Sequence, residues 1–568
     1  MKRTGAQIVW EMLQREGVDV VFGIPGGAIM HTYHPRQEYD VHHILMRHEQ
    51  CAAHAADGYA RASGRVGVAM ATSGPGATNL VTGIANAMMD SSPIVCITGQ
   101  VATPLIGSDA FQEIDITGIT LPITKHNYLV TDVDDLAYTI HEAFYIARSG
   151  RPGPVLIDLP KDVQQAAIDF VPPEGEVRLP GYHPVGQGAL EAVRQAAEMI
   201  NTAQRPVILA GQGVLMSGAM EALRTFVEKT ETPVAITLLG KGGFPESHPL
   251  SLGMMGMHGE AFVNQAIQEA DLLLAFGMRF DDRVTGTLET YAPQARKVHV
   301  DMDPAELNKI VPVDVAIVGD LRQVLEQLLP LTEPTTHPAW LEQIGRWRGE
   351  SHIRDIINRP ENGHLVVPHF IDAIWEATQG EAIVVTDVGQ HQMWTAQYYH
   401  HDRPHPLITS GGLGTMGFGL PAAIGAQVAR PDKEVWAIVG DGGFQMTVHD
   451  LATVVQEQLP LRIALSNNGY LGMVRQWQEL FYSQRYEATR LLNPDFVKLV
   501  EAYGIRSWRA TSRKQARQAI AEARSHPGPA FIDFQVAQEG EDANVYPMVP
   551  AGAALHEMIR RPALAVEA

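Results

Sequence analysis

Cysteine is scarce in this chain of 568 residues: Cys51 and Cys96 are the only two, and both sit among apolar neighbours. Neither a disulfide framework nor a zinc site is expected from them. No apolar run approaches the roughly 18 residues of a membrane span. Residues 1–17 mix charged and apolar positions at helical spacing and lack the apolar core of a signal peptide. A cytoplasmic protein is the simplest expectation. Basic residues are outnumbered, 43 against 64 acidic ones, for a formal net charge of -21. That balance argues against a nucleic-acid partner or an anionic membrane surface. Low-complexity segments and short-period repeats are also missing.

The chain is too long for one core, so two to four domains are expected. Hydrophobic content of 45% and aromatic content of 7% are ordinary for a globular protein. Three blocks emerge. Residues 1–170 alternate helical patterns with short apolar strands at 66–70, 94–98 and 154–158. Residues 190–335 repeat the rhythm with strands at 206–210, 272–276 and 298–301, and residues 365–550 do so again. The βα rhythm predicts an α/β protein of three doubly wound parallel-sheet domains. The Pro- and Gly-rich stretch 171–190 and the polar stretch 332–338 read as linkers. Blocks one and three share a coarse βα plan.

Two short segments in the third block belong together. Gly-Asp-Gly at 440–442 follows the apolar run 435–439, and Asn-Asn at 467–468 follows the run 461–465. Alone, either is an ordinary turn. As a pair, they put Asp441 and Asn468 at the carboxyl ends of two buried strands, where open α/β sheets bind ligands. A carboxylate and an amide oxygen suit Mg²⁺, which takes its remaining ligands from phosphate and water. Gly440 and Gly442 let backbone approach a diphosphate. The pair looks like the thiamine diphosphate motif. In the first block, Arg-His-Glu-Gln at 47–50 opens an Ala-rich helix. Glu49 there is either a helix cap or the carboxyl group that hydrogen-bonds the cofactor's pyrimidine ring. His48 and His54 are six apart and do not share a helix face as a zinc pair would. Gly-Leu-Gly-Thr-Met-Gly at 412–417 matches a dinucleotide fingerprint. The acid expected about twenty residues on is displaced into a turn at Asp432, so these glycines read as close backbone packing around a ligand.

Together with segments spread along nearly the whole chain, these motifs resemble the catalytic large subunits of the acetohydroxyacid synthase (acetolactate synthase) family. The resemblance rests on Phe-Gly-Ile-Pro-Gly-Gly at 22–27, Arg-His-Glu-Gln at 47–50 and Thr-Ser-Gly-Pro-Gly-Ala-Thr-Asn at 72–79. It rests also on Asp-Ala-Phe-Gln-Glu at 109–113, Ser-Gly-Arg-Pro-Gly-Pro at 149–154, Gly-Met-His-Gly at 256–259 and Arg-Phe-Asp-Asp-Arg-Val-Thr-Gly at 279–286. The third block adds 387–393, 411–419, 440–442 and Gly-Met-Val-Arg-Gln-Trp at 472–477.

The resemblance implies a transferase that decarboxylates pyruvate and joins the two-carbon unit to a second 2-ketoacid. Pyruvate as acceptor gives 2-acetolactate and 2-ketobutyrate gives 2-aceto-2-hydroxybutyrate, in branched-chain amino acid biosynthesis. It implies thiamine diphosphate, Mg²⁺ and a flavin, FAD, that takes no part in the overall redox balance. Block one would bind the pyrimidine, the central block the FAD, and block three the diphosphate with Mg²⁺. Glu49 would activate the cofactor, with Gln112 and Lys161 catalytic beside it. Gly27, Phe111, Met473 and Trp477 would face the substrates. Val388, Gly389, Gln390, His391, Gly414, Met416, Gly442, Gly443, Gly472 and Met473 would line thiamine diphosphate. Asp441, Asn468 and the carbonyl of Tyr470 would hold the metal. The flavin would be surrounded by Arg151, Gly211, Gln212, Gly213, Thr237, Leu238, Met257, His258, Gly277, Arg279, Asp281, Arg283, Val284, Asp301, Met302, Asp320, Gln392 and Met393. A homodimer or homotetramer with sites between subunits is implied, and a small regulatory subunit accompanies many family members.

The chain departs from the family pattern in places. Ile24 replaces a frequent Tyr, Cys51 stands where Gly is usual, and Gly443 replaces a common Ser, a change expected to be tolerated. Pro35 would cut short an early helix within residues 31–39. Other readings are a pyruvate oxidase with the same cofactors, a glyoxylate carboligase (whose pattern lacks a glutamate at the position of Glu49), an NAD-dependent dehydrogenase and an inactive paralogue.

Overall fold

A computed structural model describes residues 2–358, 364–404 and 406–563. Each of three parallel sheets is built from the short, buried apolar runs that the sequence displays. Pro206–Ala210 and Leu272–Phe276 form as expected, and Gly67–Ala71, Ile94–Gln100, Val155–Pro160, Arg296–Asp301, Val435–Gly440 and Arg462–Asn467 differ by a residue or two. Strands such as Val20–Gly23, His42–Leu45 and Arg506–Ala510 are short or carry charged ends, which hides them from a reading of apolar runs.

The N-terminal sheet runs in the spatial order His42–Leu45, Val20–Gly23, Gly67–Ala71, Ile94–Gln100, Val155–Pro160, His126–Leu129. The C-terminal sheet runs Ile383–Thr386, Val435–Gly440, Arg462–Asn467, Ala530–Gln535, Arg506–Ala510, and Ile408 bridges Val385 in parallel on its outer edge. Counted along the chain, both follow the order 2-1-3-4-6-5. The shared plan of blocks one and three is therefore a shared topology. The central sheet runs Ser251–Met254, Val234–Ile236, Pro206–Ala210, Leu272–Phe276, Arg296–Asp301, Val315–Val318, the 3-2-1-4-5-6 order of dinucleotide-binding folds. Its switch point falls between Pro206–Ala210 and Leu272–Phe276. The expectation of three doubly wound α/β units holds.

Residues 170–189 contain no helix or strand, in keeping with their Pro and Gly content. The helix Pro338–His352 follows the second polar stretch and packs Trp340 and Ile344 into the central core. Pro35 acts as its chemistry dictates: the helix Met30–Tyr33 ends just before it, and a 3₁₀ turn, Arg36–Glu38, follows.

The N- and C-terminal units share one core. Helix Glu49–Ser63 crosses helix Gly419–Ala429 so closely that backbones touch. A Cβ on Gly58 would lie 2.0 Å from the carbonyl oxygen of Ala422, and one on Gly425 would lie 1.8 Å from that of Ala55. Beside the crossing, Arg61 is buried and donates to Asp57 (2.7 Å), to Asp90 (2.9 Å) and to the carbonyl of Thr409 (2.7 Å). A second buried ion pair lies within the central unit, and its carboxylate reaches the C-terminal unit. Lys241 Nζ lies 2.7 Å from Glu246 Oε1, which also accepts from the backbone N–H of His401 at 3.0 Å. Burial opposes the charge on Glu246, but Lys241, followed by His400 and His401, outweighs it and holds the carboxyl down to about 2.

Two outcomes follow for stability. Gly425→Val overfills the helix crossing and is expected to cost about 1–3 kcal/mol or more, read as a lower urea midpoint at unchanged slope. Glu246→Gln strands a buried ammonium and is expected to cost about 3–5 kcal/mol at pH 7. Because the Glu246 carboxyl is depressed on folding, its contribution is complete above its ordinary value near 4.5 and is lost as pH falls toward 2. The gap between variant and wild type should therefore narrow below about pH 4.5 in pH-resolved denaturant titrations.

Candidate active site

All three clusters of candidate residues sit at carboxyl ends of parallel strands. In the C-terminal unit, Asp441 follows strand Val435–Gly440 and opens helix Asp441–Thr447. Its Oδ2 accepts from the N–H of Gly469 (2.7 Å) and from Asn493 Nδ2 (2.6 Å). Asn468 follows strand Arg462–Asn467; its Oδ1 accepts from the N–H of Tyr470 at 3.0 Å, and its Nδ2 reaches Gln390 Oε1 at 3.4 Å. The loop of residues 468–470 thus lies against Asp441 through the N–H of Gly469, which places Asn468 and Tyr470 on either side of that contact. Burial pushes the Asp441 carboxyl up to about 6, against the hydrogen bonds from Asn493, Gly469 and Gly442. A buried carboxylate beside amide and carbonyl oxygens is a donor set that suits a hard divalent cation. Asn493 is a member that motif reading missed, because its strand-end position is set by a loop without a signature.

His391 lies against Gly440, where a Cβ would come within 2.7 Å of the ring. Burial pushes this histidine down to about 3, and its Nε2 is buried without a hydrogen-bond partner. Gly442 is equally confined, since a Cβ there would meet Leu471 at 2.7 Å. These features fit a cradle for a diphosphate.

Asp387 is the polar centre of the same unit and was singled out in the sequence only as the start of a motif. Its carboxylate accepts from the backbone N–H groups of Val388 (2.7 Å), Gly417 (3.0 Å) and Gly419 (3.0 Å), so it pins the glycine loop. Burial raises this carboxyl to about 6 despite those donors. A Cβ on Gly443 would lie 2.4 Å from Asp387 Oδ1, so any side chain there must displace the carboxylate; tolerance at Gly443 depends on more than backbone contacts. From the N-terminal unit, Asp90 accepts from the N–H groups of Gly411 (3.0 Å) and Gly412 (2.6 Å). The dinucleotide-like glycines are thus held by carboxylates on both sides, consistent with close packing around a ligand.

In the N-terminal unit, Glu49 begins helix Glu49–Ser63 and its Oε2 accepts from Asn79 Nδ2 at 2.9 Å. The cap itself is His48, whose Nδ1 accepts from the N–H of Gln50, so the carboxylate of Glu49 is not spent on capping. Gly76 leaves room for it: a Cβ there would lie 3.4 Å from Glu49 Oε1. Gly27 stands in open space, and Gln112 takes a left-handed φ of 60° tight against Gly74. Phe111 is 88% exposed, and Lys161 is exposed at the start of a short helix.

A cavity of about 870 Å³ opens at the switch point of the central sheet. It is lined by every residue the resemblance assigned to a flavin except Gly211, and also by Val388, Gly389, Gly414, Met416, Met473 and Trp477. Gly211 instead interlocks with Gly277, whose carbonyl oxygen would meet its Cβ at 2.2 Å. Burial raises Asp301 to about 6 and lowers His258 to about 4, and His258 Nδ1 is buried without a partner. The cavity matches the size of cofactor sites and has polar groups to satisfy. Glu49, Gln112, Lys161, Gly27 and Phe111 do not line it, and neither do Asp441, Asn468, Tyr470, Gln390, His391, Gly442, Gly443 or Gly472. Among the described residues no hydrogen bond links Glu49, in the N-terminal unit, to the Asp441 cluster in the C-terminal one.

Two sheets of one topology, each ending in a polar half-site, with a dinucleotide-type sheet between them, define a thiamine pyrophosphate enzyme. The chain matches the N-terminal TPP binding domain of these enzymes over residues 3–119, their central domain over 193–328 and their C-terminal TPP binding domain over 387–534. It is 50% identical to the acetolactate synthase large subunit of Corynebacterium glutamicum over 565 residues, 97% of this chain and 89% of that protein. It is 47% identical to the acetolactate synthase isozyme 2 large subunit of Escherichia coli over 562 residues, 98% of this chain and 99% of that one. A probable acetolactate synthase large subunit of Methanocaldococcus jannaschii is 47% identical over 565 residues, 98% of this chain and 95% of its own. The chain belongs to the acetolactate synthase large-subunit family.

Asp387→Ala would strip buried N–H groups of Gly417 and Gly419 of their acceptor. An expected loss of about 1–3 kcal/mol for each unsatisfied group should appear in urea unfolding, with faster proteolysis in the loop of residues 411–417.

Proposed function

We propose that this chain is the catalytic subunit of an acetolactate synthase. It would join the two-carbon unit of pyruvate to pyruvate or 2-ketobutyrate in branched-chain amino acid biosynthesis. The observation that carries the reading is the Glu49 half-site and the Asp441–Asn468 half-site, both at strand ends, in a chain about half identical along its length to such synthases. Thiamine diphosphate, when bound, supplies the electron sink for decarboxylation and carbon–carbon bond formation.

The chain's own groups supply position and charge. Glu49, free of capping duty and held by Asn79, is the carboxyl that hydrogen-bonds the pyrimidine ring. Asp441, Asn468 and the Tyr470 carbonyl hold Mg²⁺ against the diphosphate, with His391, Gly442 and Gly443 around it. Val388, Gly389, Gln390, Gly414, Met416, Gly472 and Met473 line the cofactor. Trp477, Met473, Phe111, Gly27, Gln112 and Lys161 face the ketoacids; such a pocket separates acceptors by about 1–3 kcal/mol per methylene. FAD occupies the central cavity, a reading supported by the lining of that cavity and the orphaned His258 nitrogen. Block 1–170 acts as the pyrimidine domain, 190–335 as the flavin-associated domain and 365–550 as the diphosphate domain.

Glu49 stands in the N-terminal unit and Asp441 in the C-terminal one, with no hydrogen bond between them among the described residues, which supports a homodimer or homotetramer in which a second copy brings its Glu49 face to the first copy's Asp441 face. The relatives are named large subunits, which supports a small regulatory partner. No helix among the described residues is long and apolar enough to cross a membrane, in keeping with a cytoplasmic location.

The deciding test is pyruvate turnover with thiamine diphosphate, Mg²⁺ and FAD, following acetolactate and oxygen together. Acetolactate without matching oxygen uptake is expected. Stoichiometric oxygen uptake, or acetaldehyde or acetate as product, would move the chain to the oxidase or decarboxylase relatives. Glu49→Gln is expected to cut turnover by about 10²-fold or more while FAD stays bound, read from its absorbance after gel filtration.

A further inference from the structure

Two residues beyond Glu49, the seam between the N- and C-terminal units holds three potential metal ligands from distant parts of the chain. Cys51 lies in the first turn of helix Glu49–Ser63, and His449 and Asp450 lie on the 3₁₀ turn Val448–Asp450. Their ligand atoms all fall within 4.8 Å of one another. Cys51 Sγ is 3.6 Å from His449 Nε2, which is 3.5 Å from Asp450 Oδ2. A tetrahedral zinc ion with ordinary bond lengths separates sulfur from nitrogen by about 3.6 Å and nitrogen from carboxylate oxygen by about 3.3 Å. Those two spacings need almost no adjustment, and the sulfur and carboxylate oxygen lie within 4.8 Å of each other.

A second observation points to a ligand there. Asp450 is fully buried, and its two oxygens are used differently. Oδ1 accepts from the N–H of Arg47 (2.8 Å) and from Thr453 Oγ1 (3.0 Å). Oδ2 makes no well-formed hydrogen bond and faces Cys51 and His449, with His449 Nε2 at 3.5 Å and the Cys51 thiol against the same carboxyl. A buried carboxylate oxygen so poorly hydrogen-bonded is costly, and a cation between it, the thiol and the imidazole satisfies it. His48, whose ring is 5.8 Å from that of His449, is committed to the helix cap through Nδ1. That leaves three protein ligands and a fourth position open to water. The His449 side chain is 38% exposed, which gives an ion a way in.

We propose that Cys51, His449 and Asp450 form a binding site for a thiophilic divalent cation of the zinc class, bridging the N- and C-terminal domains. Thiolate and imidazole ligands select zinc or cobalt over the Mg²⁺ of the diphosphate site. Binding exchanges the Cys51 proton, released to solvent, for the metal. The ion ties the start of the Glu49 helix to the turn that ends the Asp441 helix. It is independent of the carboligase reading, since none of its ligands touches either half-site. The residues escape a reading of sequence motifs because Cys51 and His449 are 398 positions apart.

The test uses the full-length protein with thiamine diphosphate and Mg²⁺, freed of trace metals and titrated with Co²⁺. One Co²⁺ per chain with a near-ultraviolet thiolate-to-cobalt band, displaced by Zn²⁺, is expected. Zn²⁺ should also raise the unfolding midpoint. Cys51→Ser should lose the band, and His449→Gln, altering a partly exposed side chain, should bind at least tenfold more weakly. Absence of the band at saturating Co²⁺, its persistence in Cys51→Ser, or unchanged affinity in His449→Gln would each overturn the proposal.

Discussion

The crossing of helices Glu49–Ser63 and Gly419–Ala429 is the constraint on which the rest of the molecule depends. Only residues without a Cβ allow the backbones to meet at Gly58 and Gly425, and alanines fill the surrounding contact. Close approach replaces a layer of side chains with backbone and methyl contacts, so the two outer domains become one packed body. The consequence reaches the site directly. The same helix that crosses at Gly58 begins with Glu49, and the second helix is preceded by the glycine loop that Asp387 and Asp90 hold. Its far end is secured by Arg61, which spans Asp57, Asp90 and the carbonyl of Thr409.

A second theme is charge held out of water at strand ends. Asp387, Asp441 and Asp301 are all raised to about 6 by burial; the first two meet hydrogen-bond donors and no basic side chain, while Asp301, on the central cavity, has Arg151 and His299 nearby. His391 and His258 are held neutral by the same burial and keep one ring nitrogen without a partner. The Glu246 carboxyl, paired with Lys241, is held down instead. Groups whose protonation is shifted by desolvation, clustered in clefts, are the expected mark of ligand sites. The 2-1-3-4-6-5 order of the C-terminal sheet brings Asp387 and Asp441 to its switch point, between Ile383–Thr386 and Val435–Gly440.

Much of this was legible in residues alone. The Gly-Asp-Gly and Asn-Asn segments identify Asp441 and Asn468 because each follows an uninterrupted apolar run, and apolar runs bounded by glycine or asparagine have few alternatives to a buried parallel strand. The break at Pro35 is equally local, as a fixed φ and a missing N–H act within one turn. The flavin set was read from motifs, and all but Gly211 line one cavity. Asn493, by contrast, carries no signature, and the role of Asp387 as a clamp on Gly417 and Gly419 depends on a loop thirty residues away.

The sequence by itself determined the fold class, the strand-end positions of Asp441 and Asn468 and the glycines at which backbone must approach something closely, because these follow from periodicity and from steric limits of single residues. Tertiary structure alone decided that Gly58 meets Ala422, that Asn79 holds Glu49, and that Cys51 faces His449 and Asp450. The first and last are relations between residues hundreds of positions apart. They are set by which faces two domains bury against each other, and no local pattern encodes that choice.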